Sequence, residues 1–463
     1  MRTGPIILMA IALAGCVRFQ PQPLSPENVA SSFEQRSLTS DEFRLYAETN
    51  LHRAFLTWPP AAWDLETLTL GALYYNPDLA VARANYEAVF AGETTAAQRL
   101  NPSLNVSPAY NATTAVPSPW LVTATLDVPI ETAGKRGHRI AQAGHLSDAA
   151  GFALTTAAWD VRVRLRRGLL EVWMAQESET LLRQQLAAQE SIVGMLEKEL
   201  AAGGITPAEV TRERIALDQT RLALLEAQNR LAQARPQLAA VIGVPSAALD
   251  ARPISFDFFT QPPADLPPAE ARRRALFNRA DILGALASYA ASESALQLEI
   301  AKQYPDVHLS PGYEFDQGDS KWGVGLNVEL PVLNRNRGPI AEAEARRRES
   351  AAKFNALQSR VFGEIETALA GCQNAQKTYA AAQALWGHSQ AQERATAETF
   401  KAGEVSAQSV VAAKLETAHA AVARLDALFK AQQAAATLES ALQLPLELPE
   451  PLASTPPAQA NPP

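Results

Sequence analysis

Residues 102–110 read Pro-Ser-Leu-Asn-Val-Ser-Pro-Ala-Tyr, and residues 305–313 read Pro-Asp-Val-His-Leu-Ser-Pro-Gly-Tyr. Pro102, Ser107, Pro108 and Tyr110 return 203 positions later as Pro305, Ser310, Pro311 and Tyr313. The echo reaches upstream, where Ala72, Leu73, Asp78 and Tyr86 recur as Ala275, Leu276, Asp281 and Tyr289. Downstream, Ile140, Ala141 and Ala143 recur at an offset of 200 as Ile340, Ala341 and Ala343, which places a three-residue difference in the hairpin region between. A unit this long is domain-sized and far exceeds solenoid repeats of about 20 to 50 residues. The chain of 463 residues therefore reads as one body built from two copies, residues 63–262 and 263–444.

Both copies of the phrase open a stretch of strict alternation. Leu104, Val106, Pro108, Tyr110 and Ala112 lie on one side and Asn105, Ser107, Ala109 and Asn111 on the other. After a turn-like Thr-Thr-Ala-Val-Pro-Ser-Pro, Trp120, Val122, Ala124, Leu126 and Val128 alternate with Leu121, Thr123, Thr125 and Asp127. The second copy sets Val307, Leu309, Pro311, Tyr313 and Phe315 against His308, Ser310, Gly312 and Glu314. After Asp-Gln-Gly-Asp-Ser-Lys, it sets Trp322, Val324, Leu326, Val328 and Leu330 against Gly323, Gly325, Asn327 and Glu329. This period predicts two β-hairpins, 104–129 and 306–331, each with an apolar and a polar face. Strands of about ten residues with aromatics at one end fit a membrane barrel, although a pair of ordinary hairpins on a soluble core has the same alternation. In a membrane, Tyr110, Trp120, Tyr313, Phe315 and Trp322 form an interfacial girdle, and Asp127, Glu314 and Glu329 line the lumen, where they bias cation passage. Pro108 and Pro311 call for a bulge or a rim position. Four strands cannot close a barrel and an open edge in lipid is costly, so other copies must supply the rest; three copies give twelve.

The remainder is alanine-rich and helical. No proline occurs from about His138 to Ala202, which permits a helix of roughly 95 Å, and Ile340 to Ala402 repeats it. Leu217, Leu224, Leu231 and Leu238 keep a sevenfold spacing in the returning segment. Glu342 with Arg346, and Glu344 with Arg348, add i,i+4 pairs on a solvated face. The reversals are duplicated as well: Gly203-Gly204-Ile205-Thr206 answers Gly403-Glu404-Val405-Ser406, within tips 200–209 and 400–409. Gly203 and Gly403 suit a left-handed C′ position, while Thr206 with Glu209, and Ser406, suit N-caps. Each tip reads equally as a structural reversal or as a docking surface.

Residues 1–15 have the charged start, short apolar run and small residues of a secretory signal, too short to remain as a membrane span. Leu13-Ala14-Gly15-Cys16 resembles a bacterial lipobox, which implies cleavage before Cys16 and lipid on its thiol; Val17, rather than aspartate, points to the outer membrane. After processing Cys372 is the only other cysteine, so no intrachain disulfide or thiolate metal cage can form, and it reads as a small buried helix residue. Residues 16–62 lack sustained periodicity and read as a linker draped over the body, and the proline-rich 445–463 as a disordered tail. The net charge of −8 argues against nucleic-acid binding.

A lipobox, paired hairpins, paired long helices and glycine tips, in this order and duplicated, resemble the TolC family of outer-membrane efflux ducts over residues 60 to 442. Asn76-Pro77-Asp78-Leu79 resembles the family's opening. Glu329-Leu330-Pro331-Val332-Leu333-Asn334-Arg335-Asn336-Arg337-Gly338 resembles its strand-to-helix exit, above all in the heavy-metal (Czc/Cus-type) branch. The first repeat departs here with Pro129-Ile130-Glu131-Thr132-Ala133-Gly134-Lys135-Arg136-Gly137, closer to the general family's exit. The resemblance implies a mainly α fold with a small β part: a homotrimer whose twelve-stranded outer-membrane β-barrel continues into an α-helical periplasmic barrel. It further implies a periplasmic adaptor (membrane fusion protein) at the tips, an inner-membrane RND-type pump, and passive conduction of heavy-metal cations, with multidrug efflux or type I protein secretion as alternatives.

No cofactor and no resident metal are expected. Gly134-Lys135 lacks the rest of a P-loop, and Ser350-Ala351-Ala352-Lys353 matches S-x-x-K only mid-helix without companion motifs. His52, His138, His145, His308, His388 and His419 form no metal-binding motif. Lys135, Arg136, His138 and Arg139 read as a membrane-interface anchor. A lipid-anchored periplasmic coiled-coil scaffold is the rival from another class.

Overall fold

The computed structural model describes residues 18–113, 117–263 and 269–446, so Cys16 and the signal lie outside the described residues, as do 447–463 of the tail. The first repeat runs through helices α3 (Leu65–Tyr75) and α4 (Pro77–Ala97), strands β1 (Ser103–Tyr110) and β2 (Trp120–Ile130), then α5 (Lys135–Ala201), α6 (Pro207–Ile242) and a short α7 (Ser246–Leu249). The second runs through α8 (Ala269–Asn278), α9 (Ala280–Ala301), β3 (Val307–Asp316), β4 (Asp319–Val328), α10 (Arg337–Lys401) and α11 (Ala407–Leu442). Helix α5 has 67 residues and α10 has 65, about 100 Å each.

The three-residue difference between repeats is shared out rather than confined to the hairpins. The cross-strand pairs Tyr110–Trp120 and Tyr313–Trp322 are equivalent, and the offset falls from 203 at the tyrosines to 202 at the tryptophans. It is still 202 at the helix starts, Lys135 and Arg337, and 200 at their ends, Ala201 and Lys401. The remaining two residues are therefore absorbed within the long helices.

The segment expected to be a linker holds two helices, α1 (Pro26–Glu34) and α2 (Asp41–Leu51), and contributes to the core. Ser40 caps α2 by accepting from the Phe43 amide, and Phe43 and Ala47, one turn apart, are fully buried with Leu38. They join the main core, where Trp63, Leu68, Leu165, Leu169, Leu238 and Ile242 meet at mid-height of α5. Trp63 exchanges backbone hydrogen bonds with Pro253 and Ser255 at the end of the first repeat. Two helices this short show too few apolar turns for a periodic signal, so their burial is decided by the partner surface.

A second core of Ile282, Val361, Ile365, Leu438 and Leu442 serves the second repeat and includes Cys372, whose burial pushes its thiol pKa up. A third holds the tips together: Ile192, Leu196 and Val210, with Ile205, Val411 and Leu415 against them.

The Asn-Pro-Asp-Leu opening has a structural job. The Asn76 side-chain oxygen caps α4 by accepting from the Asp78 and Leu79 amides at 2.9 and 3.2 Å. Its amide donates to the Val241 carbonyl at 2.6 Å, tying the start of α4 to the end of α6. In the second repeat Arg279 takes this place and donates to the Ala441 carbonyl, 200 positions on from Val241.

Candidate functional site

The four strands form one antiparallel sheet in the order β1-β2-β3-β4, so the two hairpins lie side by side and β1 and β4 are its edges. Register carries the alternation across all four strands. Leu104 faces Leu126, Val106 faces Ala124, Ala124 faces Tyr313, and Tyr313 faces Trp322, which puts the apolar set on one face. Asn105 faces Thr125, Thr123 faces Glu314, and Glu314 faces Lys321 on the other. The loop of the second hairpin is shorter than expected: only Gln317 and Gly318, both at positive φ, separate its strands, and Asp319, Ser320 and Lys321 belong to β4, which ends at Val328.

The predicted aromatics converge at the loop end. Tyr110 and Trp120 pack edge to face with centroids 5.2 Å apart, Tyr313 and Trp322 pack at a tilt with centroids 4.9 Å apart, and Phe315 faces Val122. Trp322 is 83 % exposed, an indole presented to the surroundings on the apolar face.

Of the three predicted lumen acids, Asp127 and Glu314 lie on the polar face. Glu329 lies one residue past the end of β4, so alternation does not reach it. Sequence reasoning missed the partner of Asp127. The Asp127 carboxylate lies 3.0 Å from His308 Nδ1 and accepts from the Ser310 hydroxyl at 3.2 Å. The reason lies in Pro311. The β2–β3 ladder runs in one register but skips Leu126–Pro311 and Asp127–Ser310, because Pro311 has no N–H to donate. No bulge is inserted. Side chains bridge the strands where the backbone cannot, and Pro108 sits on the edge strand β1.

Three residues of the basic run after β2, Lys135, Arg136 and Arg139, form a structural clip. Lys135, 7 % exposed, donates through Nζ to the Tyr304 carbonyl and to Asp306, each at 2.7 Å. Arg136 donates to the Ala97 carbonyl, and Arg139 to the Ala96 and Gln98 carbonyls and to Glu131. Burial raises the Asp306 pKa, but the Lys135 ammonium and the Thr132 amide outweigh it and hold the carboxyl below its usual range. The clip fixes the angle at which α5 leaves the sheet. In the second exit Asn336 donates to the Glu299 carbonyl and carboxylate. Both exits turn on two consecutive residues of positive φ, Ala133-Gly134 and Arg335-Asn336, so the departing first motif gives the same bend.

At the far end the two tips are superposable in their bonding. Gly203 donates to Leu200 and Gly204 to Glu199; Gly403 donates to Phe400 and Glu404 to Thr399. This is the Schellman pattern, with Gly203 and Gly403 at φ of +76° and +81°. Glu209 accepts from the Thr206 amide, and Ser406 accepts from the Ser409 amide. Gly203, Gly204, Thr206, Gly403, Glu404 and Ser406 are exposed, while Ile205 and Val405 turn half inward.

Sheet, clip and tips match a known pattern. The model of the family described as outer membrane efflux protein matches residues 71–244 and 271–443, one match to each repeat. The chain belongs to this family. It is thus an outer-membrane efflux protein, a passive channel and not an enzyme. Among relatives, the cobalt-zinc-cadmium resistance protein CzcC of Cupriavidus metallidurans is 26 % identical over 69 % of this chain and 76 % of its own. SilC of Salmonella typhimurium, described as a "Probable outer membrane lipoprotein", is 24 % identical over 77 % of this chain and 80 % of its own. The crystal structure of the transmembrane channel CusC shares the fold, with a TM-score of 0.67 at 19 % identity over 82 % of this chain and 91 % of that one. Among the described residues no helix is long and apolar enough to cross a membrane, and no group of three or more His, Cys, Asp or Glu forms a metal cage.

Proposed function

We propose that three copies of this chain close a twelve-stranded barrel and a continuous helical tunnel, and that the assembly exports divalent heavy-metal cations. The observation that carries the reading is the pair of bare sheet edges. Among the described residues β1 and β4 have no partner on their outer sides, and they are exposed along nearly their whole length; each unpaired backbone group in lipid costs several kcal/mol. The helices share these flanks. Towards the tips they neighbour one another in the order α6-α5-α11-α10, and towards the sheet in the order α4-α5-α9-α10. One side of the chain is thus β1, α4 and α6, and the other β4 and α10. On α6, Ile215, Leu222 and Leu225 form an exposed apolar seam, and α10 exposes Phe362 and Leu385. A ring of three sets each seam against the opposite flank of the next copy.

The cargo rests on CzcC, whose name assigns it cobalt, zinc and cadmium resistance. Cys16 carries a lipid that anchors the chain in the outer membrane, and an inner-membrane RND-type pump feeds the tunnel through a periplasmic adaptor seated on Gly203–Thr206 and Gly403–Ser406. Deleting the gene should sensitise cells to Zn²⁺, Co²⁺ or Cd²⁺. Unchanged tolerance together with a lost secreted protein would move the assignment to secretion. Aspartate at Gly203 and Gly403 should abolish crosslinking to the adaptor while trimers persist on a native gel. Loss of the trimer would show instead that these glycines only shape the turn.

A further inference from the structure

The geometry points to His308 as a single-imidazole binding site for a borderline-soft divalent cation such as Zn²⁺ on the polar face of the sheet, oriented by Asp127; this rests on the reading of that face as a metal-conducting lumen. A carboxylate can only accept, so the Asp127 oxygen 3.0 Å from Nδ1 fixes the proton of the neutral ring on that nitrogen. Nε2 is left as the basic nitrogen, and the ring remains about two-fifths exposed. Histidine metal ligands are commonly held this way, with the second ring nitrogen donating to a carboxylate that sets the tautomer and raises basicity.

The surroundings favour a cation. Ser310 locks the other Asp127 oxygen at 3.2 Å, so the carboxylate cannot turn away. Asn327 is the cross-strand neighbour of His308 on β4. Two ammonium groups flank this face, and both are committed: Lys135 to Asp306 and the Tyr304 carbonyl, and Lys321 to Asp316. Twelve strands enclose an open lumen, which keeps three copies of His308 apart, so each cation meets one imidazole and water. One ligand binds weakly and releases fast, as a conducting path requires.

The test is calorimetric titration of the purified full-length trimer with ZnCl₂. His308→Asn should weaken binding at least tenfold, Asp127→Asn by about tenfold through lost orientation, and His52→Asn, an exposed histidine outside the sheet, not at all. Equal Zn²⁺ affinity in wild type and His308→Asn overturns the site and leaves His308 as a cross-strand tie only. Should His308→Asn fail to assemble, Cu²⁺ electron paramagnetic resonance of the wild-type and Asp127→Asn trimers decides: imidazole nitrogen coupling that is lost or weakened in Asp127→Asn supports the site, and coupling unchanged between the two refutes it. Because no pump is present, this result stands apart from the cargo reading, which fails on deletion tolerance alone.

Discussion

Replacing Glu439 with alanine is expected to remove most of the assembled protein from the outer membrane. Glu439 on α11 is 2 % exposed and accepts from Arg162 Nε at 2.8 Å and from Arg166, itself 3 % exposed, both on α5. Arg166 also lies over the Phe258 ring, 4.9 Å from its centroid. The carboxylate is the charge that allows two guanidinium groups to share a dry junction between the repeats. Breaking a buried pair by removing one partner costs about 3–5 kcal/mol, against a typical domain stability of about 5–15 kcal/mol. Glu439→Gln keeps an acceptor and the volume, so it should fall between wild type and Glu439→Ala in urea midpoint. An unchanged midpoint for Glu439→Ala would mean that water already reaches the junction.

Gly243→Ala should be as damaging for a different reason. Gly243 closes α6 at φ +90°, and a Cβ there would lie 2.4 Å from the Tyr75 carbonyl oxygen and 2.8 Å from its carbon. The left-handed conformation alone costs an alanine about 1–2 kcal/mol. The clash adds to it, because the neighbour is backbone and is held from both sides: Arg36 donates to the Tyr75 and Gly243 carbonyls, and Asn76 to Val241. The sum reaches the exceptional range above about 4 kcal/mol. Alanine at Gly203 or Gly403 supplies the control, since φ is also positive but nothing lies within 4 Å of the added carbon. Only the conformational cost should appear there. Thermal unfolding of the three variants side by side checks the ranking; equal shifts would show that the Tyr75 contact relaxes freely.

Local periodicity was legible in the sequence, and long-range pairing was not. Alternation over 104–129 and 306–331 placed the strands to within a few residues, and the proline-free run placed α5 because helix signals accumulate with length. The aromatic pairs followed from register alone. The glycine tips followed from a local motif repeated twice. By contrast, Glu439 stands 273 positions from Arg166, and His308 stands 181 from Asp127, so nothing in either neighbourhood marks its partner. The clip at Lys135 was not legible because its partners are carbonyls at helix and strand ends that no composition reveals. Residues 16–62 misled for want of length. Phe43 and Ala47 mark only one turn of an inward face.

The two tips differ in sequence, and this bears on symmetry at the periplasmic mouth. The second carries Glu404 where the first carries Gly204. In the proposed trimer six tips alternate between these two sequences, so the mouth has threefold and not sixfold symmetry. An adaptor that reads shape and charge must therefore either choose one class of tip, giving three copies per channel, or use two distinct modes of engagement for one sequence. In the proposed assembly, the choice between these two arrangements is set by the difference between the repeats rather than by their likeness.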